Sequence, residues 1–532
     1  MDCTVTQIPY RDTFQFSDLV LDYLDNKPEL RTFFEHSVDI SGIKNAIRER
    51  QQFGTDRKLI SEIFREQYSK YTTTELQTVN ISFLEKENCF TICTAHQPNI
   101  FTGYLYSIYK TAHVIRIAAD LSKEFPEFHF VPVFYIGSED NDLEELGQIN
   151  VNGVKYRWNT EQRGAVGRMK VDKDLLKIRD EILRQMASYP FGSDLISIIK
   201  DAYAEGKTIA EATTILLNHL FGNHGLLVLQ PDDARLKAKM VDIFRDDLFK
   251  HTANQLLENS NKELGKQYKI QVNPREINLF FLEDDKRDRL TEKGERYCVD
   301  GSDREFSTDE IDRLISQEPG KFSPNVVLRG IYQEIILPNI LFVGGGSEIA
   351  YWLELKPLFK HYHVPYPVIV LRNSFLVLSK EQQHKVNKLG WEISDLFKPD
   401  LDLMNGYVKK HSTKKLSLEE EISKLHSLYE QVKSAAGEVD ATLLQHVAAL
   451  EHRAIKELRN LEKKLLRAEK RNYETQQRQL QKIKEELFPK NGLQERVDNF
   501  MPWFGMYGQA FIDQVVQCSS AFDQAFGILC LD

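Results

Sequence analysis

Phe90-Thr91-Ile92-Cys93-Thr94-Ala95-His96-Gln97-Pro98-Asn99-Ile100-Phe101-Thr102-Gly103-Tyr104 is the stretch on which the reading of this chain turns. A run rich in β-branched and aromatic residues gives way to a polar loop with a proline, and a helical pattern then runs from Tyr104 to Leu121. The start of a helix leaves backbone N–H groups without intrahelical partners and carries the positive end of the helix dipole. A strand–loop–helix junction bearing His96, Gln97 and Thr102 therefore suits an anion, although an ordinary strand-to-helix connection reads the same way.

The texture around this stretch repeats. Short apolar runs at Phe90 to Ala95, Phe128 to Ile136, Gly225 to Leu229, Ile340 to Val343 and Pro367 to Leu371 alternate with helical patterns at Leu143 to Gly147, Asp233 to Leu248 and Glu348 to Phe359. Strands apolar on both faces and separated by helices predict a Rossmann-like, doubly wound parallel sheet, an α/β fold that binds ligands at the carboxyl ends of its strands. Residues 1 to about 85 read as helices. The segments Val171 to Asn218 and His251 to Glu318 read as insertions that build a second lobe around the site.

From about residue 381 the pattern changes. Leu418, Ile422, Leu425, Tyr429 and Val432 step by four and three behind a capping signature, Ser417-x-x-Glu420. Beyond Gly437, and with Asp440 as N-cap, a second seam runs through Leu443, Val447, Leu450, Ala454, Leu458, Leu461, Leu465 and Ala468, and resumes at Leu480, Ile483 and Leu487. Two amphipathic helices joined by a glycine-containing turn predict an antiparallel coiled-coil hairpin, or else one arm of a homodimer. The expected division is a core over 1–380, a helical domain over 381–499, and a C-terminal segment over 500–532 whose aromatics return it to the body.

Composition removes several classes. With 69 Lys and Arg against 79 Asp and Glu, the net charge of −10 argues against a surface that coats nucleic acid. The N-terminus lacks a basic start followed by an apolar core, and no apolar run approaches the roughly 20 residues of a membrane span, so a cytoplasmic protein is expected. Six scattered cysteines make no disulfide framework, and Cys89 and Cys93 read as core residues.

Two further loops carry chemistry. Gly137-Ser138-Glu139-Asp140-Asn141-Asp142 follows a strand, and its three carboxylates repel one another unless a cation compensates them. A capped first helical turn is the simpler reading. Gly344-Gly345-Gly346-Ser347-Glu348 opens a helix with glycines that admit close approach of a phosphate or sugar, but it is no G-x-G-x-x-G fingerprint, since Ile349 stands where the last glycine belongs. Gly206-Lys207-Thr208 lacks the preceding strand of a P-loop, and His361, His363, His219 and His224 lack metal spacing, so no structural metal is expected.

Four stretches in order resemble the cysteine-adding ligases of bacillithiol biosynthesis, the BshC family, and the similarity runs through nearly the whole chain. They are His96-Gln97-Pro98-Asn99-Ile100-Phe101-Thr102-Gly103-Tyr104-Leu105-Tyr106, Pro132-Val133-Phe134-Tyr135-Ile136-Gly137-Ser138-Glu139-Asp140-Asn141-Asp142, Phe322-Ser323-Pro324-Asn325-Val326-Val327-Leu328-Arg329, and Phe342-Val343-Gly344-Gly345-Gly346-Ser347-Glu348-Ile349-Ala350-Tyr351-Trp352. The resemblance implies a Rossmann-like core with connecting insertions and a coiled coil. It also implies an enzyme that joins L-cysteine to the amino group of glucosaminyl-malate, the last step of the pathway. Forming an amide from a carboxylate is uphill in water, so ATP, with magnesium, is the expected activator, a route that the core's likeness to class I aminoacyl-tRNA synthetases supports by analogy.

On that reading His96, Glu139, Asp140 and Asp142 are catalytic. His96 and Thr102 hold phosphates and the carboxylates hold an ammonium, while Arg329 pairs with a malate or cysteine carboxylate. Gln97, Asn99, Gly103, Ser323, Asn325, Ser347 and Glu348 join the binding set, and Gly344, Gly345 and Gly346 lie against sugar or nucleotide. The chain departs from the family at Asn141, where a histidine is usual, which weakens the acidic loop as a source of a general base, and at Gly345 or Gly346, where a proline is usual. The competing readings are a nucleotide-binding coiled-coil assembly protein and a sugar or nucleotidyl transferase.

Overall fold

The computed structural model describes residues 5–531, which divide into two compact units: the described residues of Met1–Val377 and Gly492–Asp532 form the first, and Leu378–Asn491 the second. The first is organised by five parallel strands, β1 (Cys89–His96), β2 (His129–Ile136), β3 (Leu227–Leu229), β4 (Asn339–Gly344) and β5 (Val368–Leu371), in the order β3-β2-β1-β4-β5. Each apolar run read as a strand belongs to this sheet. β1 is buried up to Ala95, and β4 and β5 are buried throughout, because helices cover both faces. The strand order reverses at β1: β2 and β3 are added on one side, β4 and β5 on the other. The crevice where the ends of β1 and β4 part is the place where such sheets bind ligands.

Three helices frame that crevice. Helix α1 (Leu105–Glu124) leaves the β1 loop, α2 (Val326–Ile336) leads into β4, and α3 (Gly346–His361) leaves it. Helix α1 sets Leu105, Ile108, Ala112 and Ile115 into one core with Phe90 and Ile92 of β1, Phe134 of β2 and Val343 of β4. Burying each large apolar side chain of this kind contributes about 1.5–3 kcal/mol, so the crevice rests on a rigid base. The early residues form helices at Asp18–Leu24, Ile40–Gln52, Arg57–Tyr68 and Glu75–Phe83. The last described strand, Ala525–Leu531, pairs antiparallel with Val5–Pro9 in the first unit. Phe511, Ile512 and Val515 join the main core.

The first insertion is helical, with Lys173–Met186, Gly192–Ala202 and Ile209–Phe221. The second starts as a helix, Thr252–Leu264, and continues as strands Leu279–Glu283, Lys286–Lys293, Arg296–Val299 and Glu305–Ser307, which join Phe322–Pro324 in an antiparallel sheet.

In the second unit, α4 (Glu419–Val439) and α5 (Leu443–Lys470) form the antiparallel hairpin, followed by α6 (Glu474–Leu487). The turn falls at 440–442, where the Asp440 carboxylate accepts the Thr442 N–H at 2.8 Å. Gly437 lies inside α4 and not in the turn. A Cβ there would stand 3.1 Å from Leu444 of α5, so this glycine serves close helix approach. No described helix is long and apolar enough to cross a membrane. Cys89, Cys93 and Cys298 are buried free thiols.

Candidate functional site

Pairing of Ala95 with Tyr135, Thr94 with Val343 and Gly344 with Leu371 brings four strand ends to one level. The loops beginning at His96, Gly137, Gly344 and Arg372 thereby enclose a cavity of about 580 Å³ at the β1–β4 crevice, within the range of small-molecule sites. Lys110 of α1, Arg329 of α2 and Arg287 of the second insertion complete its charged wall.

His96 ends β1 and packs edge-on against Tyr106, their ring centroids 5.2 Å apart. Burial, together with the positive charges of Lys110 and Arg372, holds its pKa well below the ordinary imidazole value, so the ring is neutral at pH 7. Its Nε2 is buried and has no hydrogen-bond partner among the described residues. Gln97 donates from Nε2 to Asp140 at 2.5 Å. The rest of the loop turns inward: Phe101, Thr102 and Gly103 all have positive φ, +52°, +62° and +68°. Tyr203 Oη accepts the Phe101 N–H at 2.5 Å, and Asn499 donates to the Phe101 and Gly103 carbonyls. Asn99, Thr102 and Gly103 lie outside the cavity lining, and Leu105 N–H, at the start of α1, is taken by the Asp498 carbonyl at 2.8 Å.

In the acidic loop, Glu139 is buried. One oxygen accepts from Ser323 Oγ at 3.1 Å and the other pairs with Nζ of Lys237, a fully buried lysine. Lys237 also meets Asp232 at 3.1 Å, and Arg168 grips that carboxylate through bonds of 2.6 and 3.0 Å. Burial raises the pKa of Glu139 against the pull of Lys237. Burial pushes Asp232 the same way, but Lys237 and Arg168 overcome it and bring the pKa to about 2. Of the loop's three carboxylates, Glu139 is thus compensated by a lysine from a distant segment. Asp140 lines the cavity without an ion pair among the described residues. Asp142 does not line it; its carboxylate caps the short helix Leu143–Leu146 at the Glu145 N–H, 3.0 Å. Asn141 accepts from Arg287 Nη1 at 3.5 Å.

The glycine loop is the open wall. Gly345 is the N-cap of α3 and has no side chain to cap with, while its own N–H donates to the Glu348 carboxylate at 2.7 Å. The first intrahelical bond starts at Ile349, so the N–H groups of Gly346 and Ser347 at the cavity have no intrahelical acceptor. A Cβ on Gly345 would stand 3.5 Å from Glu348 Oε2 and 3.8 Å from Arg372 Nε. Gly344 itself is outside the lining. Buried Lys110 pairs with Glu348 and donates to the Ala95 carbonyl at 3.1 Å. Glu495 neutralises Arg372 through bonds of 2.6 and 2.9 Å. Arg329 differs: it donates to Tyr351 Oη at 2.5 Å and Gln333 Oε1 at 3.3 Å, lies 5.6 Å from the Tyr135 ring centroid, and has no carboxylate partner among the described residues.

His96, Gln97, Glu139, Asp140, Asn325, Arg329, Gly345, Gly346, Ser347 and Glu348 therefore converge on one cavity. Ser323 stands behind it, holding Glu139 and accepting from Arg287 Nε at 2.9 Å, and Asn325 Oδ1 caps α2 at the Val327 N–H, 2.8 Å. Sequence reasoning missed Lys110, Arg287 and Arg372. A lone lysine on an otherwise apolar stretch of α1, and an arginine directly after the β5 run, were legible signals; Arg287, carried in by an insertion, left none.

The other histidines make ordinary contacts: His219 with Asp201 and His224 with Asp513, each at 2.9 Å, and His361 with Asp246 at 3.7 Å. Among the described residues one group has metal-ligand spacing, His426, Glu430 and Glu451 on the hairpin, but Lys433 already bridges both glutamates, at 2.7 and 2.8 Å.

Comparison with known proteins bears on the whole chain. The bacillithiol biosynthesis BshC N-terminal Rossmann-like domain matches residues 1–373, and the BshC C-terminal coiled-coil domain matches residues 375–531. A relative from Flavobacterium johnsoniae is 36% identical, covering 98% of this chain and 99% of its own length. One from Flavobacterium psychrophilum is 36% identical over 96% of each, and one from Christiangramia forsetii 35% identical over 98% of each. All three bear the description "Putative cysteine ligase BshC". A solved structure from Campylobacter jejuni, described as a "putative arginyl t-RNA synthetase", aligns over 85% of this chain and 98% of that one at 12% identity with a TM-score of 0.23, too loose a likeness to bear on fold or chemistry.

Proposed function

The chain belongs to the BshC family of bacillithiol biosynthesis, and on that premise we propose that it is a ligase forming an amide between L-cysteine and the amino group of glucosaminyl-malate, with ATP activating the cysteine carboxylate. The observation that carries this reading is one cavity holding a cation and an anion, Arg329 and Asp140, that make no ion pair among the described residues. An amino acid has that charge pattern: Arg329 takes its carboxylate and Asp140 its ammonium. ATP, when bound, would supply the adenylyl group that activates the carboxylate, with pyrophosphate leaving at that step and AMP leaving as the amide forms. The donor set fits it: the uncapped N–H groups of Gly346 and Ser347 and the buried Lys110 suit phosphate oxygens, and the bare Gly345 lets a ligand approach the backbone. His96, neutral and with Nε2 unpartnered among the described residues, accepts a hydrogen bond from an attacking amine.

Homodimerisation through the hairpin belongs to the same reading. Val432, Leu443, Leu450 and Leu461 are exposed on it, and sedimentation equilibrium of the full chain tests whether a second copy covers them.

The purified protein, given cysteine, glucosaminyl-malate and ATP, is expected to yield the amide by mass spectrometry and to exchange pyrophosphate into ATP only when cysteine is present. Amide without exchange would remove the adenylate step. Neither product nor exchange would remove the ligase reading and favour an assembly role.

A further inference from the structure

A second cavity, of about 860 Å³, shares Asp140, Arg287, Asn325 and Val326 with the first, so the two meet at a common wall. The second insertion builds much of the remainder, with Arg275, Phe280 and Arg289. Arg287 lies 4.0 Å from the Phe280 ring centroid and is fixed by Ser323 Oγ at 2.9 Å and the Pro324 carbonyl at 3.2 Å, so it is a rigid part of the partition. Arg289 lies 5.8 Å from the same centroid. Neither Arg275 nor Arg289 makes an ion pair among the described residues, although Glu276, Glu292 and Asp142 line the same cavity. Glu292 is engaged by His251 at 3.0 Å and Asp142 caps its helix, which leaves the two guanidinium groups uncommitted.

We propose that this second cavity receives the amine acceptor: Arg275 and Arg289 take carboxylates of the acceptor, and its amine is brought to the shared wall, where Asp140 and Arg329 hold the cysteine. The ligand class is an amine that also carries carboxylates, since a neutral amino sugar would leave both arginines without a role. The proposal rests on the ligase reading and adds to it the place of the second substrate. The first cavity has the volume of a single drug-sized ligand, which the cysteine and its activating group occupy. The acceptor therefore approaches from the other side of Arg287 and Asn325, and its nitrogen meets the activated carbonyl at the shared wall.

Calorimetric titration of glucosaminyl-malate into the full chain and into an R275A/R289A variant tests this, together with the Michaelis constants of both substrates. Both arginines are exposed, so the variant keeps its fold, which thermal melting checks. The expected result is acceptor binding at least tenfold weaker and an acceptor KM raised to match, with the KM for cysteine unmoved. An R275K/R289K variant retains charge and recovers part of the affinity. Unchanged acceptor affinity in R275A/R289A overturns the placement, and loss of acceptor binding in R329A in its stead puts the acceptor in the first cavity. A wild-type chain that binds no glucosaminyl-malate overturns the ligase reading itself, and this placement with it.

Discussion

At the end of β1 the chain turns through three residues of positive φ, buries Asn99 and Thr102, and delivers a helix whose first N–H is already taken by Asp498. At the end of β4 it passes through Gly344 and Gly345 directly into α3, whose first residues line the cavity with no capping side chain over them. Both are strand–loop–helix junctions at the carboxyl edge of one sheet. They differ because the β1 loop is clamped from outside by Tyr203, Asn499 and Asp498, whereas the Gly346 and Ser347 N–H groups at the β4 end have no acceptor among the described residues. A helix start becomes an anion site only where no carbonyl of the protein has claimed its donors. In this fold the β1 end supplies a neutral histidine and the β4 end supplies the positive wall.

Removing the cation behind the β4 wall breaks this contrast most severely. Lys110→Met removes the ion-pair partner of Glu348, which keeps the Gly345 N–H and faces the cavity, so the variant should lose about 1–3 kcal/mol in urea denaturation and bind ATP weakly. Wild-type stability with full ATP affinity would show that the pair contributes nothing to the wall.

One part of the pH dependence lies on the β1 side. Burial lowers the pKa of His113 on α1 to about 4, and that of His96 well below its ordinary value, so both stay neutral in the fold. Because the folded pKa is depressed, their stabilisation is fully present above the unfolded value of about 6.5 and is lost as pH falls through the folded pKa. For His113 the loss approaches about 3 kcal/mol by pH 4. Burial raises the carboxyl pKa values of Asp247, Glu334 and Glu354 to about 7 and shifts stability the opposite way over this range, so the His113 share is read as a difference: from pH 7.5 to 4.5 the wild type should lose stability relative to His113→Gln. A profile indifferent to that substitution would place the acid sensitivity elsewhere.

The smallest effect is at Thr102, a β-branched residue held at φ +62° with its Oγ1 buried and unpartnered. Thr102→Gly relieves the strain and should gain about 1 kcal/mol of stability while leaving ATP and cysteine affinity intact. A tenfold loss of ATP affinity would return the phosphate site to the β1 loop.

The five strands and the hairpin were legible because their signals are local: apolar runs between turn residues, and leucines at coiled-coil spacing. The strand order was not, since no local feature of Phe90–Ala95 says that β4 lies beside it. Within the site, the acidic and glycine loops were legible from composition and position. Their counter-charges were not, because Lys237, Arg287 and Glu495 arrive from segments far away in sequence. The same limit explains Thr102 and Asn99, polar residues in a promising loop that Asn499 and Tyr203 draw inward. Gly437 was misread as a turn because a glycine that admits Leu444 of the facing helix looks, in sequence, like one that ends a helix.

Calorimetric measurement of ATP affinity for Gly345→Ala, in the presence of cysteine, tests the β4 wall most directly. Gly345 has φ −74°, and its new methyl would meet Glu348 and Arg372 only at ordinary contact distance, so the fold and melting temperature should not change. The methyl stands where the ligand must approach the backbone, and ATP should bind at least tenfold more weakly. ATP affinity equal to that of the wild type, or a wild-type chain that binds no ATP with cysteine present, would contradict the account.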